Sequence, residues 1–321
     1  MVKKLSSLLL VLVLLCGCSA VAPDETAVAY EAVHPITVLE EEAVALAEAP
    51  SPALPDLLTA EASGTLEKKN DRAVMDYSNT ADGYVMVRYT QKTDKRLKAQ
   101  VKGPSTTYTY NLTPLTWETF PLSDGNGSYQ ITVYQNVSGK SYATVLSLSC
   151  PVELADEFAP FLRPNQYVNY APDSAVVAKA AELTADCGEA LEKVEAVYDF
   201  VVNTLHYDKE RAATVQSGYL PVLDAVLEEE KGICFDYAAL MTAMLRSQDV
   251  PCKLVVGYAG KAYHAWISVW TRESGWINSA IFFDGTAWHR MDPTFASSGR
   301  ESDSIMKYIG DGSNYTVKYL Y

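Results

Sequence analysis

The hydrophobic period of this chain changes once, near Pro151, and that change sets the order of its architecture. Between about Leu66 and Cys150 apolar residues recur at every second position. Leu97, Ala99 and Val101 alternate with Arg96, Lys98, Gln100 and Lys102, while Tyr129, Ile131 and Val133 alternate with Gln130, Thr132 and Tyr134. Tyr142, Thr144, Leu146 and Leu148 continue the pattern, and Gly103-Pro104 and Asp124-Gly125-Asn126-Gly127 interrupt it with turn chemistry. Half-buried strands at this spacing predict a small antiparallel sandwich over residues 66–150, an accessory or spacer domain. Its many Tyr and Thr residues follow from strand propensity as readily as from a binding face.

After Pro151 the period becomes helical. Ser174 to Ala185 and Gly188 to Leu205 read as amphipathic helices, the second with Leu191, Val194, Val197, Tyr198 and Val201 on one face, and Gly232 to Ser247 reads as a third. Short apolar strands follow at Cys252 to Tyr258, Tyr263 to Trp270, Gly275 to Phe283 and Thr286 to Met291. Helices followed by an antiparallel run of strands describe an α+β domain over residues 155–321.

The first residues bear on location. Lys3 and Lys4 precede an apolar stretch from Leu5 to Leu15, too short to span a bilayer, as in a secretory signal over residues 1–17. Leu15-Cys16-Gly17-Cys18 resembles the bacterial lipoprotein box, with the small Gly17 just before the lipidated position. The resemblance implies lipid on Cys18 and a protein held at the extracellular face of the bacterial cytoplasmic membrane. Residues 18–62 are rich in Ala, Glu, Val and Pro and read as a flexible stalk, with a short helix from Val38 to Ala47 as the alternative. Removal of residues 1–17 leaves 24 basic and 40 acidic residues, a balance of −16. That argues against nucleic acid as a partner and against docking on anionic lipid through a basic patch.

Four cysteines remain in the body: Cys150, Cys187, Cys234 and Cys252. They are too few for a disulfide scaffold, although Cys150 and Cys187 make one conceivable pair. There is no CxxC pair and no His–Cys cluster at metal-ligand spacing, so the sequence gives no sign of a zinc site or other cofactor.

Three segments carry chemistry. In Gly232-Ile233-Cys234-Phe235-Asp236-Tyr237-Ala238 a cysteine opens a helix, where the macrodipole favours thiolate and N–H groups can receive an oxyanion. In Tyr263-His264-Ala265-Trp266 a histidine on a strand offers an imidazole to take the thiol proton. In Trp288-His289-Arg290-Met291-Asp292-Pro293-Thr294 a carboxylate at a strand end can fix the tautomer of that imidazole. Taken singly, each has an ordinary alternative: a buried structural Cys, a structural or surface His, an Asp-Pro turn.

Together, Gly-x-Cys-x-Asp-Tyr-Ala, then Pro251 with an apolar strand and Gly257, then His-Ala-Trp, then Trp-x-x-x-Asp-Pro-Thr resemble the core of the transglutaminase-like superfamily. The resemblance covers roughly Tyr198 to Phe295 and implies a papain-related helix-plus-antiparallel-sheet domain. By position it makes Cys234 the nucleophile, His264 the base and Asp292 the orienting carboxylate. It puts Tyr207 at a recurrent aromatic position near the oxyanion and Trp266 in the packing of the site. His264 follows Cys234 by 30 residues, whereas papain-like enzymes separate the two by well over about a hundred. His289 has the opposite strand parity to Asp292, and His206 is set aside by motif alone. The implied activity is acyl transfer on amides of proteins, peptides or cell-wall peptides, by hydrolysis or by crosslinking, with hydrolysis slightly favoured. The alternative is a non-catalytic surface scaffold on the same fold.

Overall fold

The computed structural model describes residues 57–272, 275–278, 281–283, 288–290 and 315–321. The lipoprotein-like leader, Cys18 and the stalk up to residue 56 lie outside them, as do Asp292 and Pro293.

Alternation builds the first half. One four-stranded antiparallel sheet runs β1 (Glu67–Lys69), β2 (Ala73–Asp76), β3 (Tyr84–Tyr89) and β6 (Trp117–Pro121). A second has the order β5 (Thr107–Leu112), β4 (Leu97–Lys102), β7 (Gly127–Ser138) and β8 (Ser141–Val152). Leu97, Ala99, Val101, Tyr129, Ile131 and Val133 are buried, as their spacing predicts, and Tyr110 of β5 meets Phe120 of β6 with ring centroids 4.4 Å apart. On β8 the simple alternation fails. Leu146 pairs with Val133 and Thr144 with Tyr134, so Val145 is an extra residue in a bulge. Val145 and Leu146 are therefore both buried while Thr144 is exposed. The bulged carbonyl is not wasted, since Asn70 Nδ2 donates to Val145 O at 2.8 Å.

The second half is built around one helix. α1 (Ala175–Leu183), α2 (Ala190–Thr204), α3 (Lys209–Thr214) and α4 (Leu223–Glu229) precede α5 (Cys234–Arg246). Every residue of α5 from Asp236 onward is buried, which its all-round apolar surface requires. α1, α2 and α4 pack on it, as do two strands of the antiparallel sheet β13 (Gly275–Asn278), β12 (Ala262–Thr271), β11 (Cys252–Ala259) and β16 (Tyr315–Leu320). β9 (His206–Tyr207) and β10 (Lys231–Gly232) form a short parallel pair, and β14 (Ile281–Phe283) pairs with β15 (Trp288–Arg290). The strand expected as one unit over Gly275 to Phe283 is thus described as two, β13 and β14, in different sheets.

Arg246 ends α5 as a buried charge. Its guanidinium donates to Cys252 O at 2.9 Å, Arg163 O at 2.7 Å and Tyr321 O at 2.7 Å, so it ties α5 to β11 and to the residue after β16. Gly257 lets β16 approach: a Cβ there would lie 2.0 Å from Thr316 O and 2.9 Å from the Trp266 ring. The two halves share one continuous core. Tyr108 and Tyr110 of the sandwich meet Tyr321 at 5.6 Å and 5.9 Å, and Tyr110 meets Tyr167 at 5.5 Å.

Candidate active site

Cys234 is the first residue of α5. The N–H groups of that first turn have no preceding helical carbonyl to bond, and the positive end of the helix dipole falls at the thiol. Asp236, two residues on, folds back so that its Oδ2 accepts the Ile233 N–H at 2.7 Å. Gly232 makes this geometry possible. A Cβ at that position would sit 2.5 Å from the Asp236 Cβ and 3.0 Å from its Oδ2. The Gly-x-Cys-x-Asp spacing therefore has a steric origin: the glycine makes room for the carboxylate that caps the helix bearing the thiol.

That carboxylate has no exposed surface. Its Oδ1 accepts the Tyr219 hydroxyl at 2.6 Å, and Arg211 Nη1 lies 3.7 Å from its Oδ2. The same guanidinium meets Glu229 at 3.1 Å and Asp208 at 3.7 Å, and Lys231 Nζ lies 3.3 Å from Asp208. Burial pushes the Asp236 carboxyl above the usual carboxylate range, against the opposing pull of Tyr219, the Ile233 N–H and Arg211. The Arg211 N–H accepted by Asp208 holds that carboxyl below its ordinary range. This charged web joins α3, α4, α5 and the segment carrying Tyr219 behind the thiol.

The parallel pair of β9 and β10 sets Tyr207 opposite Gly232. His206 N donates to Glu230 O and Asp208 N to Gly232 O, both at 2.8 Å, which locks the register. Successive residues on a strand face opposite ways. Tyr207 faces the pocket at Cys234, while His206 is exposed. Strand parity, which the sequence did not offer for His206, thus turns it away from the thiol.

His264 reaches the same pocket from β12. It lies opposite Gly257 in the register, is buried, and stacks on Trp266 with centroids 6.2 Å apart and planes 24° apart. Cys234, His264 and Tyr207 line one pocket of about 510 Å³, whose wall also includes Tyr219, Phe235 and Tyr263. Trp266 does not line it. Its indole is buried on the same face of β12 as the imidazole it stacks on and packs against Tyr315 at 5.1 Å, so its part is to support the imidazole. His289 lies on β15 opposite Phe282, and the expected third member, Asp292, falls outside the described residues.

Cys150, Cys187 and Cys252 are free thiols, so the conceivable pairing of Cys150 with Cys187 is not formed. Burial pushes the Cys252 thiol up to about 11 and raises that of Cys150 as well. Among the described residues, no three His, Cys, Asp or Glu side chains stand together as a metal site would require. Arg211 and Tyr219 escaped the sequence reading because they sit in a stretch with no hydrophobic period. Asp236 was visible only as a letter in the motif.

A helix-borne cysteine and a strand-borne histidine thus line one pocket of a mixed helix and antiparallel-sheet domain. Residues 177–293 match the family model described as the transglutaminase-like superfamily. Two curated relatives, both described as uncharacterized, match part of the chain. ML0607 of Mycobacterium leprae is 32% identical over 135 residues, 38% of this chain and 45% of its own length. YebA of Bacillus subtilis is 27% identical over 117 residues, 30% of this chain and 16% of its own. The chain thus spans less than half the length of either. Among solved structures, a candidate cysteine protease from Cytophaga hutchinsonii is 15% identical, covering 74% of this chain and 76% of that one at a TM-score of 0.36. Red sea bream transglutaminase is 13% identical, covering 71% and 53% at 0.29.

Proposed function

We propose that this protein is a surface-anchored thiol enzyme that transfers acyl groups from amide bonds of proteins or peptides, with Cys234 as nucleophile and His264 as base. The observation that carries this reading is the meeting of Cys234, at a helix start, and His264, on a distant strand, in one pocket. The Cys234 thiol passes its proton to His264, and the thiolate attacks the amide carbonyl carbon as the π pair moves onto oxygen. We assign N–H groups at the start of α5 and the hydroxyl of Tyr207, which lines the same pocket, as donors to that oxyanion. Collapse breaks the C–N bond, His264 returns the proton to the departing amine, and a thioester remains. Water then yields the acid, or a primary amine yields a new amide, with His264 again taking the proton. The carboxylate of Asp292 holds the imidazole tautomer. Hydrolysis is the outcome we place slightly ahead of crosslinking, and the exposed lining residues Val215, Gln216, Ser217 and Gly218 leave the pocket accessible to water.

Lipid on Cys18 would hold this activity at the outer face of the cytoplasmic membrane, which makes proteins and cell-wall peptides the accessible substrates. The test is mass-spectrometric trapping of an acyl group on Cys234, with amide substrates offered in the presence and absence of a primary amine. An adduct that disappears in Cys234→Ser supports the enzyme, and the amine-dependent product separates crosslinking from hydrolysis. A folded protein that never acylates is the non-catalytic scaffold instead.

A further inference from the structure

The pocket beside Cys234 has a lining that restricts what can enter it. Tyr219 meets Phe235 at 6.3 Å and 77°, Phe235 meets Tyr167 at 5.4 Å and 81°, and Tyr167 meets Tyr321 at 4.3 Å and 60°. These four rings form an unbroken edge-to-face series along one wall, and Tyr263, 59% exposed, stands at the rim. In a chain with a formal charge of −14, no Asp, Glu, Lys or Arg is among the described residues of this lining. Arg211, which reaches the Tyr219 hydroxyl from outside the lining, is engaged by Asp208, Glu229 and Asp236.

We infer that this pocket is a subsite for an uncharged aromatic side chain, so that the preferred acyl donor is a peptide with Phe, Tyr or Trp next to the reacting amide. An aromatic guest continues the edge-to-face series and removes apolar area from water. A Lys or Glu side chain would lose its hydration there and find no carboxylate, ammonium or guanidinium in the described lining, where Cys234 and His264 serve each other. Peptides built of alanine and charged residues are poor donors for the same reason. At about 510 Å³ the pocket has room for a ring together with part of the neighbouring backbone. The assignment rests on the enzyme reading above for the word donor, and on the lining alone for the choice of side chain.

The test measures binding without turnover. The full chain carrying Cys234→Ser is titrated with the N-acetyl amides of phenylalanine, alanine, lysine and glutamate. Phenylalanine is expected to bind at least about ten-fold more tightly than alanine, with lysine and glutamate no better than alanine. Ala212→Glu, on the half-exposed helix α3 at the pocket, is expected to weaken phenylalanine and to favour lysine over glutamate. Equal binding of all four amides, or tighter binding of a charged one to the unsubstituted lining, overturns the subsite. Failure of Cys234 to acylate in the trapping experiment would sink the enzyme reading while leaving this binding order intact, so the two failures are distinguishable.

Discussion

Tyr219→Phe removes one hydroxyl and leaves the ring against Phe235. In the structure that hydroxyl donates to Asp236 Oδ1 at 2.6 Å, and Asp236 has no exposed surface through which water could replace it. A hydrogen bond to an ionised group contributes about 1.5–3 kcal/mol, and with Ile233 N–H still donating we take the loss as about 2 kcal/mol. For an unfolding slope of about 3 kcal/mol/M in urea, the midpoint falls by about 0.7 M. The pH dependence is a second, independent signature. The Asp236 carboxyl is already raised by burial, and loss of a donor to its charged form raises it further. A carboxyl whose folded pKa exceeds its unfolded value binds protons more tightly in the folded state. Its contribution to stability is therefore fully present below the unfolded pKa and is lost as pH rises through the folded one. The variant loses more on that rise, so its deficit is greatest near neutrality and narrows as acidification protonates Asp236. Urea titrations of the two proteins at neutral and mildly acidic pH measure both effects. A midpoint shift below about 0.2 M, or a deficit that widens on acidification, refutes the role given to the Tyr219–Asp236 pair.

Arg246→Ala should destabilise by about 3–5 kcal/mol, because it leaves Cys252 O, Arg163 O and Tyr321 O without their buried donor; thermal unfolding would read this as a large drop in Tm. Cys252 should resist alkylation until the protein unfolds, its buried thiol being raised to about 11; site-resolved labelling across a urea series checks it, and early labelling contradicts it. Cys18→Ser should release the protein from membranes in a bacterial host that processes lipoproteins, followed by detergent partition of cell fractions; unchanged partition removes the lipid anchor from the account.

What the sequence disclosed and what it hid divide along physical lines. Alternation located β4, whose two faces keep one parity throughout, and Tyr129, Ile131 and Val133 of β7, although Thr132 between them is buried as well. It misjudged β8, because a bulge shifts parity at Val145 and is invisible to a count of apolar positions. α5 was legible from its apolar run and its motif. The reason for that motif, Gly232 clearing space for Asp236, needed coordinates. The short pair of β9 and β10 was not foreseen, since two residues carry no period, yet it is what sets Tyr207 at the pocket and turns His206 away. Arg211 and Tyr219 act through partners on α4 and α5, and such long-range pairing leaves no local signature. The sandwich read as a spacer, yet its Tyr108 and Tyr110 share a core with Tyr321, a residue of the pocket wall.

The central claim is that Cys234 is a nucleophile served by His264 as its base. The most direct measurement is the rate of Cys234 alkylation by iodoacetamide as a function of pH, resolved by mass spectrometry from the other cysteines, in the natural chain and in His264→Ala. The account predicts that Cys234 is alkylated faster than the other cysteines in the natural chain and that this advantage is lost in the variant. A profile that follows an ordinary thiol in both proteins, with folding intact, contradicts it.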